Sequence, residues 1–333
     1  MQILVRIPFR SRVIRLLLSH RFFHMQILIQ DSLAGVPVKD YLRRELHLSA
    51  HMIKRLKYSD SGITVDGRRV TTRHILRAGE TLVLATDDSF DDAADAPAPA
   101  DLPLAIVYED EDIVVPSKPA DMPTHPSHNH TEDTVANALA YRYAQAGMPF
   151  IFRPINRLDR NTSGLLIVAR NQIAAQALNQ SMRKKAIRKT YLAVLSGCPE
   201  PREGSVSACL CRTEESIIVR QVCDPDHPGA QPALTEYKTL AVSPSGFSLV
   251  AARPVTGRTH QLRVHFAHIG HPIVGDDLYG TASPDIGRQA LHAWQIEFQR
   301  PSDGKELTLR ADPPDDFMSL VHNYFPDYTI GQN

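Results

Sequence analysis

Apolar positions between Met25 and Thr86 recur first at helical and then at extended spacing. Leucine and isoleucine at helical spacing predict two short helices, with Ser49 suited to cap the second. These positions are Leu42, Leu46, Ile53 and Leu56. Two runs of apolar β-formers follow, Gly62–Gly67 with its Asp-Gly turn and Thr81–Ala85. The segment therefore predicts a small module of two helices and two strands.

Residues 87–103 interrupt this pattern. The segment is rich in Asp, Ala and Pro, contains no basic residue, and has only Phe90 and Leu102 as bulky apolar side chains. Such a composition is typical of a solvated linker. We therefore expect two domains, 25–86 and 104–326, joined by an acidic tether that leaves the first domain mobile relative to the second.

From Leu104 onward, strand and helix patterns alternate. The expected elements are a hairpin over 105–115, a helix from Thr131 or Thr134 to Gly147, one buried strand over Gly164–Ala169, a helix capped by Asn171, strands from Ile187 onward, and a second hairpin over 291–309. No repeat of solenoid period is present.

Length and composition fit a folded protein. The 333 residues exceed a typical single domain, and hydrophobic residues make up 43% against 22% charged residues. The 37 basic and 37 acidic residues cancel, which argues against a surface uniformly coated in positive charge. Any binding of a polyanion must then depend on local clusters of basic residues.

The four cysteines are Cys198, Cys209, Cys211 and Cys223. They are too few and too clustered for a disulfide framework, which favours a reducing compartment. Because Cys209 and Cys211 are not a CxxC pair, we interpret the cysteines as small buried residues and expect no metal.

The chain contains no apolar run of about 20 residues, so we expect no membrane-spanning segment. Residues 1–24 carry five arginines and no acid, a composition shared with transit peptides. However, Met25-Gln-Ile-Leu repeats Met1-Gln-Ile-Leu where the first module begins. We therefore interpret 1–24 as a start-site extension or a disordered segment, and we expect a cytoplasmic protein.

The strongest candidate for chemistry is the polar segment Asn156-Arg-Leu-Asp-Arg-Asn-Thr-Ser-Gly164, just ahead of a buried strand. Arg157 and Arg160 flank Asp159 and can keep its carboxylate ionised, as a nucleophile requires. An Asp beside an Arg more often closes a turn or pairs at the surface. Spacing alone does not decide between these interpretations.

The residues from Arg157 to Gly164 resemble the catalytic motif of the RluA-type pseudouridine synthases. Four more segments are similar to that family and follow in its order: Lys118-Pro-Ala, Lys189-Thr-Tyr-Leu-Ala, Gly257-Arg-Thr-His-Gln-Leu-Arg-Val-His and Pro272-Ile-Val-Gly-Asp-Asp-Leu-Tyr-Gly. The resemblance implies an α+β catalytic domain with a mixed, largely antiparallel sheet and a central cleft. It also implies isomerisation of uridine in RNA without a cofactor.

Residue by residue, the resemblance implies that Asp159 attacks the nucleoside, that Arg263 pairs with Asp159, and that Tyr191 stacks on the target base. Arg157 matches the arginine that fills the gap left by the flipped-out uridine. We assign Arg258 to phosphate binding only. The stretch 257–263 also fits a plain hairpin turn with a polar strand. Whether Asp159 attacks C1′ or abstracts the C2′ proton stays open.

The module 25–86 resembles the S4 RNA-binding domain through Leu48–Leu56, Gly62–Gly67 and Arg77–Leu82. Its helical stretch is basic, and we expect Lys54, Arg55 and Lys57 to form a phosphate-binding face. Charge alone would favour ordinary solvated side chains on an amphipathic helix.

Relatives commonly place His where this chain has Asn156, which leaves the hydrogen bonding at that position open.

His125, His128 and His130 are residues typical of zinc ligands, but they lie where the family has a mobile loop, and the reaction requires no metal. We expect no metal there.

Three functions from different classes are compatible with these residues. The first is an isomerase of structured RNA, most consistent with large-subunit ribosomal RNA and alternatively transfer RNA. The second is a non-catalytic RNA-binding or ribosome-assembly factor, against which the presence of Asp159, Tyr191 and Arg263 counts. The third is a glycoside hydrolase, which typically needs a second carboxylate that does not stand out beside Asp159. Oligomeric state is open, with a monomer as the default.

Overall fold

The structure, a computed structural model, describes residues 14–15, 24–46, 48, 50–59, 62–85, 97–127, 129–216, 218–301 and 303–331. Its strands are β1 (Ile14–Arg15), β2 (His24–Leu28), β3 (Ile63–Val65), β4 (Arg68–Arg69), β5 (Thr81–Ala85), β6 (Ala105–Glu109), β7 (Ile113–Lys118), β8 (Arg153–Pro154), β9 (Ser163–Leu165), β10 (Val168–Ala169), β11 (Arg188–Ser196), β12 (Glu203–Ser207), β13 (Cys209–Arg212), β14 (Arg220–Cys223), β15 (Leu234–Val242), β16 (Phe247–Pro254), β17 (Leu291–Gln299) and β18 (Glu306–Arg310). Its α-helices are α1 (Val38–Arg44), α2 (Ala50–Tyr58), α3 (Val135–Gln145), α4 (Gln172–Arg183), α5 (Gln261–His268) and α6 (Asp315–Tyr324).

The N-terminal unit is a five-stranded sheet in the order β1-β2-β5-β3-β4, with α1 and α2 contributing to its core. The predicted positions Leu42, Ile53 and Leu56 are buried there, which confirms the two helices. The strand β2 was not predicted, because a short apolar run without periodicity gives no distinct signal. The strand β1 lies within residues 1–24, which we interpreted as a start-site extension or a disordered segment, and it pairs with β2. The suggested cap at Ser49 lies outside the described residues.

The N-terminal unit contacts α4 of the second unit. The Arg55 guanidinium donates a hydrogen bond to Oε1 of Gln172 at 3.1 Å, and Ile173 packs into the core of the N-terminal unit. Helix α4 thus offers an apolar side chain to each unit, since its Leu178 packs with the large sheet. The expected mobility of the tether stays a prediction. Residues 87–96 of the expected linker lie outside the described residues.

The second unit is built on an eleven-stranded sheet in the order β12-β15-β16-β11-β17-β9-β7-β10-β8, with β18 on β17 and β6 on β7. The β17–β9 pair is parallel, whereas the other pairs in this sheet are antiparallel. This arrangement confirms the α+β class. The two expected hairpins, the Thr134 cap of α3 and the Asn171 cap of α4 are also confirmed.

The run Gly164–Ala169 is two short strands and not the single strand predicted. Both β9 and β10 pair with β7, on either side of Pro116. Leu166 N donates to the Pro116 carbonyl at 3.3 Å, but proline has no N–H to return. The ladder is therefore interrupted at this position.

The stretch 257–263 leads into helix α5 and does not form the hairpin strand that was considered. Leu262, Val264 and Phe266 alternate along the sequence as they would in a strand, which explains that interpretation. All six residues from Gln261 to Phe266 are buried, so the helix needs no polar face. Among the described residues, no helix is long and apolar enough to cross a membrane.

Candidate active site

The loop that carries Asp159 connects β8 to β9 and is fixed by its backbone. The Thr124 hydroxyl donates to the Leu158 carbonyl at 2.9 Å and lies 3.2 Å from the Leu158 N–H, which donates to it. Within the loop, Thr162 N donates to the Asp159 carbonyl at 3.0 Å. The backbone on both sides of Asp159 is thus tied to the fold.

Two buried cations complete this attachment. Lys118, only 1% exposed, donates from Nζ to the Arg160 carbonyl at 2.7 Å. Arg288 donates to the Asn161 carbonyl at 3.1 Å and forms a bidentate ion pair with Asp316 at 2.7 and 2.9 Å. Burial and the charge of Arg288 lower the pKa of Lys118 to about 7, although the nearby Asp159 opposes that shift.

The strand that follows the loop requires glycine at its start. Gly164 has φ +111° and lies beside Ala293 in the parallel pair of β9 and β17. A Cβ at this position would lie 2.3 Å from the Ala293 carbonyl oxygen, so any side chain would separate the two strands. This close approach positions the end of the Asp159 loop.

The Asp159 side chain itself is only half-buried. In the described part of the chain, no side chain or backbone N–H hydrogen-bonds to its carboxylate. Its charge is nevertheless felt by its neighbours, because it raises the pKa of both Tyr191 and Arg263. The carboxylate is therefore close to these groups and free to react.

Tyr191 lies on β11 and is 7% exposed. A register shift between Thr190 and Tyr191 interrupts the β11–β17 pairing, and such bulges redirect a side chain. Burial and then the charge of Asp159 raise the pKa of Tyr191 well above its usual range. The phenol is consequently neutral at physiological pH and can present its ring to a base.

Arg263 lies in the first turn of α5 and pairs with Asp276, not with Asp159 as expected. Its Nε and Nη2 donate to the two Asp276 carboxylate oxygens at 2.7 and 2.6 Å. Asp276 is fully buried, so its charge must be neutralised where it stands. Although burial works against the charged form, these bonds, together with Asp159, raise the pKa of Arg263. An ion pair of Arg263 with Asp159 within 4 Å is absent from the described residues.

Tyr279 supports this pair from the other side. The Arg263 guanidinium lies 5.1 Å from the centroid of the Tyr279 ring, a cation–π contact. The Tyr279 hydroxyl accepts a hydrogen bond from Arg220 N at 2.9 Å and lies 2.7 Å from Nδ1 of His260. His260 adopts a left-handed backbone (φ +57°) immediately before α5. The start of the helix is thus fixed together with Arg263.

These elements enclose a cavity of about 210 Å³. Drug-sized ligands occupy pockets of roughly 300–1,000 Å³, so this volume suits a single base rather than a longer piece of RNA. Its lining includes all the predicted catalytic residues and two of the predicted substrate-binding residues: Asp159, Tyr191, Arg263, Arg157 and Arg258. Lys189 also lines it, and burial lowers the pKa of this lysine.

Charge in this cavity is unbalanced. Among the described lining residues Asp159 is the single carboxylate, whereas Arg157, Lys189, Arg258 and Arg263 are basic. A glycoside hydrolase with two cooperating carboxylates therefore lacks its second acid in this lining. An anionic polymer such as RNA fits the basic surroundings.

The remaining predicted RNA-binding residues lie apart from the cavity, on α2 of the N-terminal unit. Lys54 and Lys57 are exposed, whereas Arg55 is half-buried against Gln172. The structure therefore separates two candidate phosphate-binding residues from one that joins the two units.

Asn156 shows how this chain uses the position where relatives commonly have His. Its Oδ1 accepts a hydrogen bond from Ile167 N at 2.9 Å, so the side chain anchors the loop to the following strand. Its Nδ2 is buried and lacks a partner within the described residues. Because Asn156 also lines the cavity, this amide is a spare donor beside Asp159.

Sequence reasoning missed several supporting residues. Asp276 and Tyr279 lie in the quoted segment 272–280, so the signal was present but assigned no role. Lys118 was likewise quoted without a function. Arg288 lies in no motif, and only the tertiary structure shows its contacts.

The histidines of the segment 125–130 are incompletely described. His130 lies with Nδ1 2.6 Å from the Asp133 carboxylate, and His128 lies outside the described residues. The expectation that this segment holds no metal stays a prediction.

Comparisons with known proteins agree with this geometry. Residues 112–268 match the RNA pseudouridylate synthase family. The uncharacterized RNA pseudouridine synthase YjbO of Bacillus subtilis is 32% identical over 85% of this chain and 98% of its own length. Ribosomal large subunit pseudouridine synthase D of Haemophilus influenzae is 36% identical over 70% of this chain and 74% of its own.

Among solved structures, human RNA pseudouridylate synthase domain containing 1 superposes with a TM-score of 0.53 at 31% identity. It covers 65% of this chain and 85% of its own. Fold, cavity and relatives lead to the same conclusion: the chain belongs to the RluA-type family of RNA pseudouridine synthases.

Proposed function

We propose that this enzyme isomerises uridine in large-subunit ribosomal RNA and that Asp159 begins the reaction. The observation that carries this proposal is the Asp159 carboxylate, which has no hydrogen-bonding partner among the described residues although its loop is firmly attached. A carboxylate that is already paired would have to lose that partner before it could react. The free carboxylate needs no such step.

The target uridine must first leave the RNA stack, because C1′ and C5 are inaccessible within it. Asp159 then either bonds to C1′ as the N1–C1′ bond breaks or removes the C2′ proton. In the first route the uracil turns and C5 bonds to C1′ as the Asp159–C1′ bond breaks. In the second, loss of the C2′ proton breaks the N1–C1′ bond and leaves a C1′–C2′ double bond; the uracil turns, C5 bonds to C1′ and Asp159 returns the proton to C2′. In both routes the C5 proton then leaves and N1 gains a proton. Atoms and charge balance, so the residues alone suffice and no redox step occurs.

Tyr191 and Arg263 define the surroundings of the detached base. The Tyr191 ring stacks on uracil while its hydroxyl stays protonated, since burial raises its pKa. Arg263 supplies a fixed positive charge that stabilises negative charge on uracil or on Asp159. Because Asp276 holds the guanidinium at two points, this charge does not need to reorganise during the reaction.

RNA is captured outside the cavity. Arg157 and Arg258 are exposed at its rim, where Arg157 fills the gap left by the flipped uridine and Arg258 contacts phosphate. The N-terminal unit acts as an S4-like RNA-binding domain through the exposed Lys54 and Lys57. Arg55 contributes by holding this unit against α4.

The choice of ribosomal RNA rests on the relatives. Proteins named ribosomal large subunit pseudouridine synthase D, from Haemophilus influenzae and Nitrosomonas europaea, align with 70% and 89% of this chain at 36% and 30% identity. The second of these alignments extends across most of the N-terminal unit as well as the cavity, given its 89% coverage. Transfer RNA is the alternative substrate to be tested.

Release of tritium from RNA labelled at uracil C5 tests this assignment, because that hydrogen leaves when C5 bonds to C1′. Purified enzyme would be incubated with unmodified large-subunit ribosomal RNA and, separately, with unmodified transfer RNA. We expect release from the ribosomal RNA, at fixed positions once the product is mapped. Release from transfer RNA alone would contradict the substrate assignment while retaining the activity.

A further inference from the structure

A small hairpin of β13 and β14 lies beside the cavity, in a sheet of its own. Its register pairs Cys209 with Cys223 and Cys211 with Gln221. Alternate residues of a strand point to one face, and directly opposite residues share a face. The thiols of Cys209, Cys211 and Cys223 therefore gather on the same side of the hairpin.

The chain after β14 folds back over this face. The Asp224 carbonyl accepts from His227 N at 3.0 Å, and the His227 carbonyl accepts from Ala230 N at 2.9 Å. Leu210 and Gln231 then exchange two backbone hydrogen bonds of 2.9 Å, which closes the loop onto β13. His227 is thereby brought to the thiols. The ligand atoms of Cys211, Cys223 and His227 all lie within 4.8 Å of one another.

We propose that this cluster is a structural zinc site held by Cys211, Cys223 and His227. Cys209 lies outside the group but on the same face of the hairpin, and we propose it as the fourth ligand. Tetrahedral zinc holds sulfur at about 2.3 Å and nitrogen at about 2.0–2.1 Å, which places ligand atoms roughly 3.5–3.8 Å apart. The ligand atoms of Cys211, Cys223 and His227 need to approach one another by only about 1 Å to reach that geometry. Each thiol that binds zinc gives up its proton, and no electron transfer is involved.

The hairpin buries little apolar surface, so a bound metal would stabilise it. Its own core among the described residues consists of Leu210, Ala233 and Val264, with Val222 and Tyr279 partly buried against them. An isolated two-stranded hairpin is at best marginally stable in water. A bound metal stabilises a small unit that cannot bury enough apolar surface.

The position of the hairpin links the metal to RNA binding. Arg212, Arg220 and Arg258 line a second cavity of about 420 Å³ together with Cys211. Arg220 N also donates a hydrogen bond to the hydroxyl of Tyr279, whose ring contacts the Arg263 guanidinium. Zinc would thus fix a basic surface at the edge of the catalytic cavity.

The earlier expectation of no metal considered the cysteines alone. The absence of a CxxC pair argued against zinc, but Cys223-x-x-x-His227 supplies the missing ligand type. Separately, the interpretation of all four cysteines as small buried residues is incorrect, because only Cys211 is buried and the other three are partly exposed.

Metal content of the full chain, purified with reductant and trace zinc, tests the proposal. We expect about one zinc per chain. Cys223→Ser and His227→Ala should each weaken zinc affinity more than about 100-fold. Cys198→Ser is the matched control, because Cys198 lies outside the cluster, and it should retain its zinc. Wild type without zinc, or equal loss in the Cys198→Ser control, would overturn the site.

Cobalt substitution of the wild type gives a result that does not depend on how well the variants fold. Thiolate ligands to Co²⁺ produce strong near-ultraviolet charge-transfer absorption, which we expect on stoichiometric addition of cobalt to the metal-free chain. The Cys209→Ser variant should lower this absorption by about one third, since three thiolates become two. Absence of the absorption, or cysteines found joined in a disulfide under reducing conditions, would refute the zinc site.

Discussion

The two walls of the cavity around Asp159 are built in opposite ways. On the wall formed by the loop of Asp159, the backbone is fixed by buried side chains while the Asp159 carboxylate has no hydrogen-bonding partner among the described residues. On the wall formed by α5, the side chain of Arg263 is itself fixed, by two hydrogen bonds from its guanidinium to the fully buried Asp276.

This difference matches the roles that we propose for the two groups. A nucleophile or base must be able to bond to the substrate, so its direction is best set through its backbone and not through partners on its side chain. A charge that only stabilises the transition state is most effective when it is held in place beforehand. The two walls therefore respond differently to mutation.

The largest effect is expected on the Arg263 wall. Asp276→Asn leaves the Arg263 guanidinium buried without its partner charge, and we expect the free energy of unfolding to fall by about 3–5 kcal/mol. Urea denaturation would measure this loss. Asp277→Asn is the matched control, because Asp277 is exposed and lies 3.5 Å from Arg263. Equal losses in the two variants would contradict the claim that Asp276 holds the arginine.

The next effect concerns the Asp159 wall. Lys118→Met leaves the carbonyls of Pro119 and Arg160 without their buried donor, at a cost on the order of 3 kcal/mol. We also expect a lower kcat with little change in RNA affinity, because the loop is loosened while the rim stays intact. Lys305→Met, at an exposed lysine in the β17–β18 turn, serves as the control. Unchanged stability and kcat in Lys118→Met would show that the loop does not depend on Lys118.

A smaller effect depends on pH and concerns the strand after the Asp159 loop. His292 Nε2 donates to the Ala311 carbonyl and Nδ1 accepts from the Ser163 hydroxyl, an arrangement that requires a neutral ring. Burial lowers the pKa of His292 to about 4, against 6.5 when unfolded. The unfolded chain therefore takes up this proton first, and stability declines as the pH falls from about 6.5 toward 4.

Because of His292, the free energy of unfolding should be about 2 kcal/mol lower at pH 5 than at pH 7. Urea denaturation of wild type and of His292→Gln at both pH values isolates the contribution of His292 to this pH dependence, since all other groups titrate in both proteins. We expect the pH dependence to be smaller by that amount in the variant. Identical pH dependence in the two proteins would show that His292 is not buried as a neutral ring.

The smallest effect lies outside both walls. The double variant Lys54→Ala with Lys57→Ala should weaken RNA binding several-fold and reduce the slope of log affinity against log salt by about 1–2. The rate of reaction on bound RNA should stay unchanged, since neither lysine lines the cavity. Lys238→Ala with Lys305→Ala removes the same charge elsewhere. A matching loss in that control would show that Lys54 and Lys57 act only through net charge.

Much of this organisation could be predicted from sequence because it is local. The caps at Thr134 and Asn171 and the hairpins on either side of short turns depend on neighbours along the chain. Asp159, Tyr191 and Arg263 were found through their resemblance to family motifs, and the structure brings them into one cavity.

The rest depends on contacts between distant segments. The break in the strand at Pro116 and the all-round burial of α5 appear only when neighbouring strands and helices are in place. Likewise, the pairing of Arg263 with Asp276 reflects the burial of that carboxylate, which the spacing of the two residues does not reveal.

A pseudouridine map of total RNA tests the central role of Asp159 most directly, in cells that lack this chain and are rescued with wild type or with Asp159→Asn. We predict that deletion removes specific pseudouridines, that wild type restores them, and that Asp159→Asn does not, although the variant is made at the same level and binds RNA. Restoration of the same sites by Asp159→Asn would contradict the assignment of Asp159 as the residue that begins the reaction.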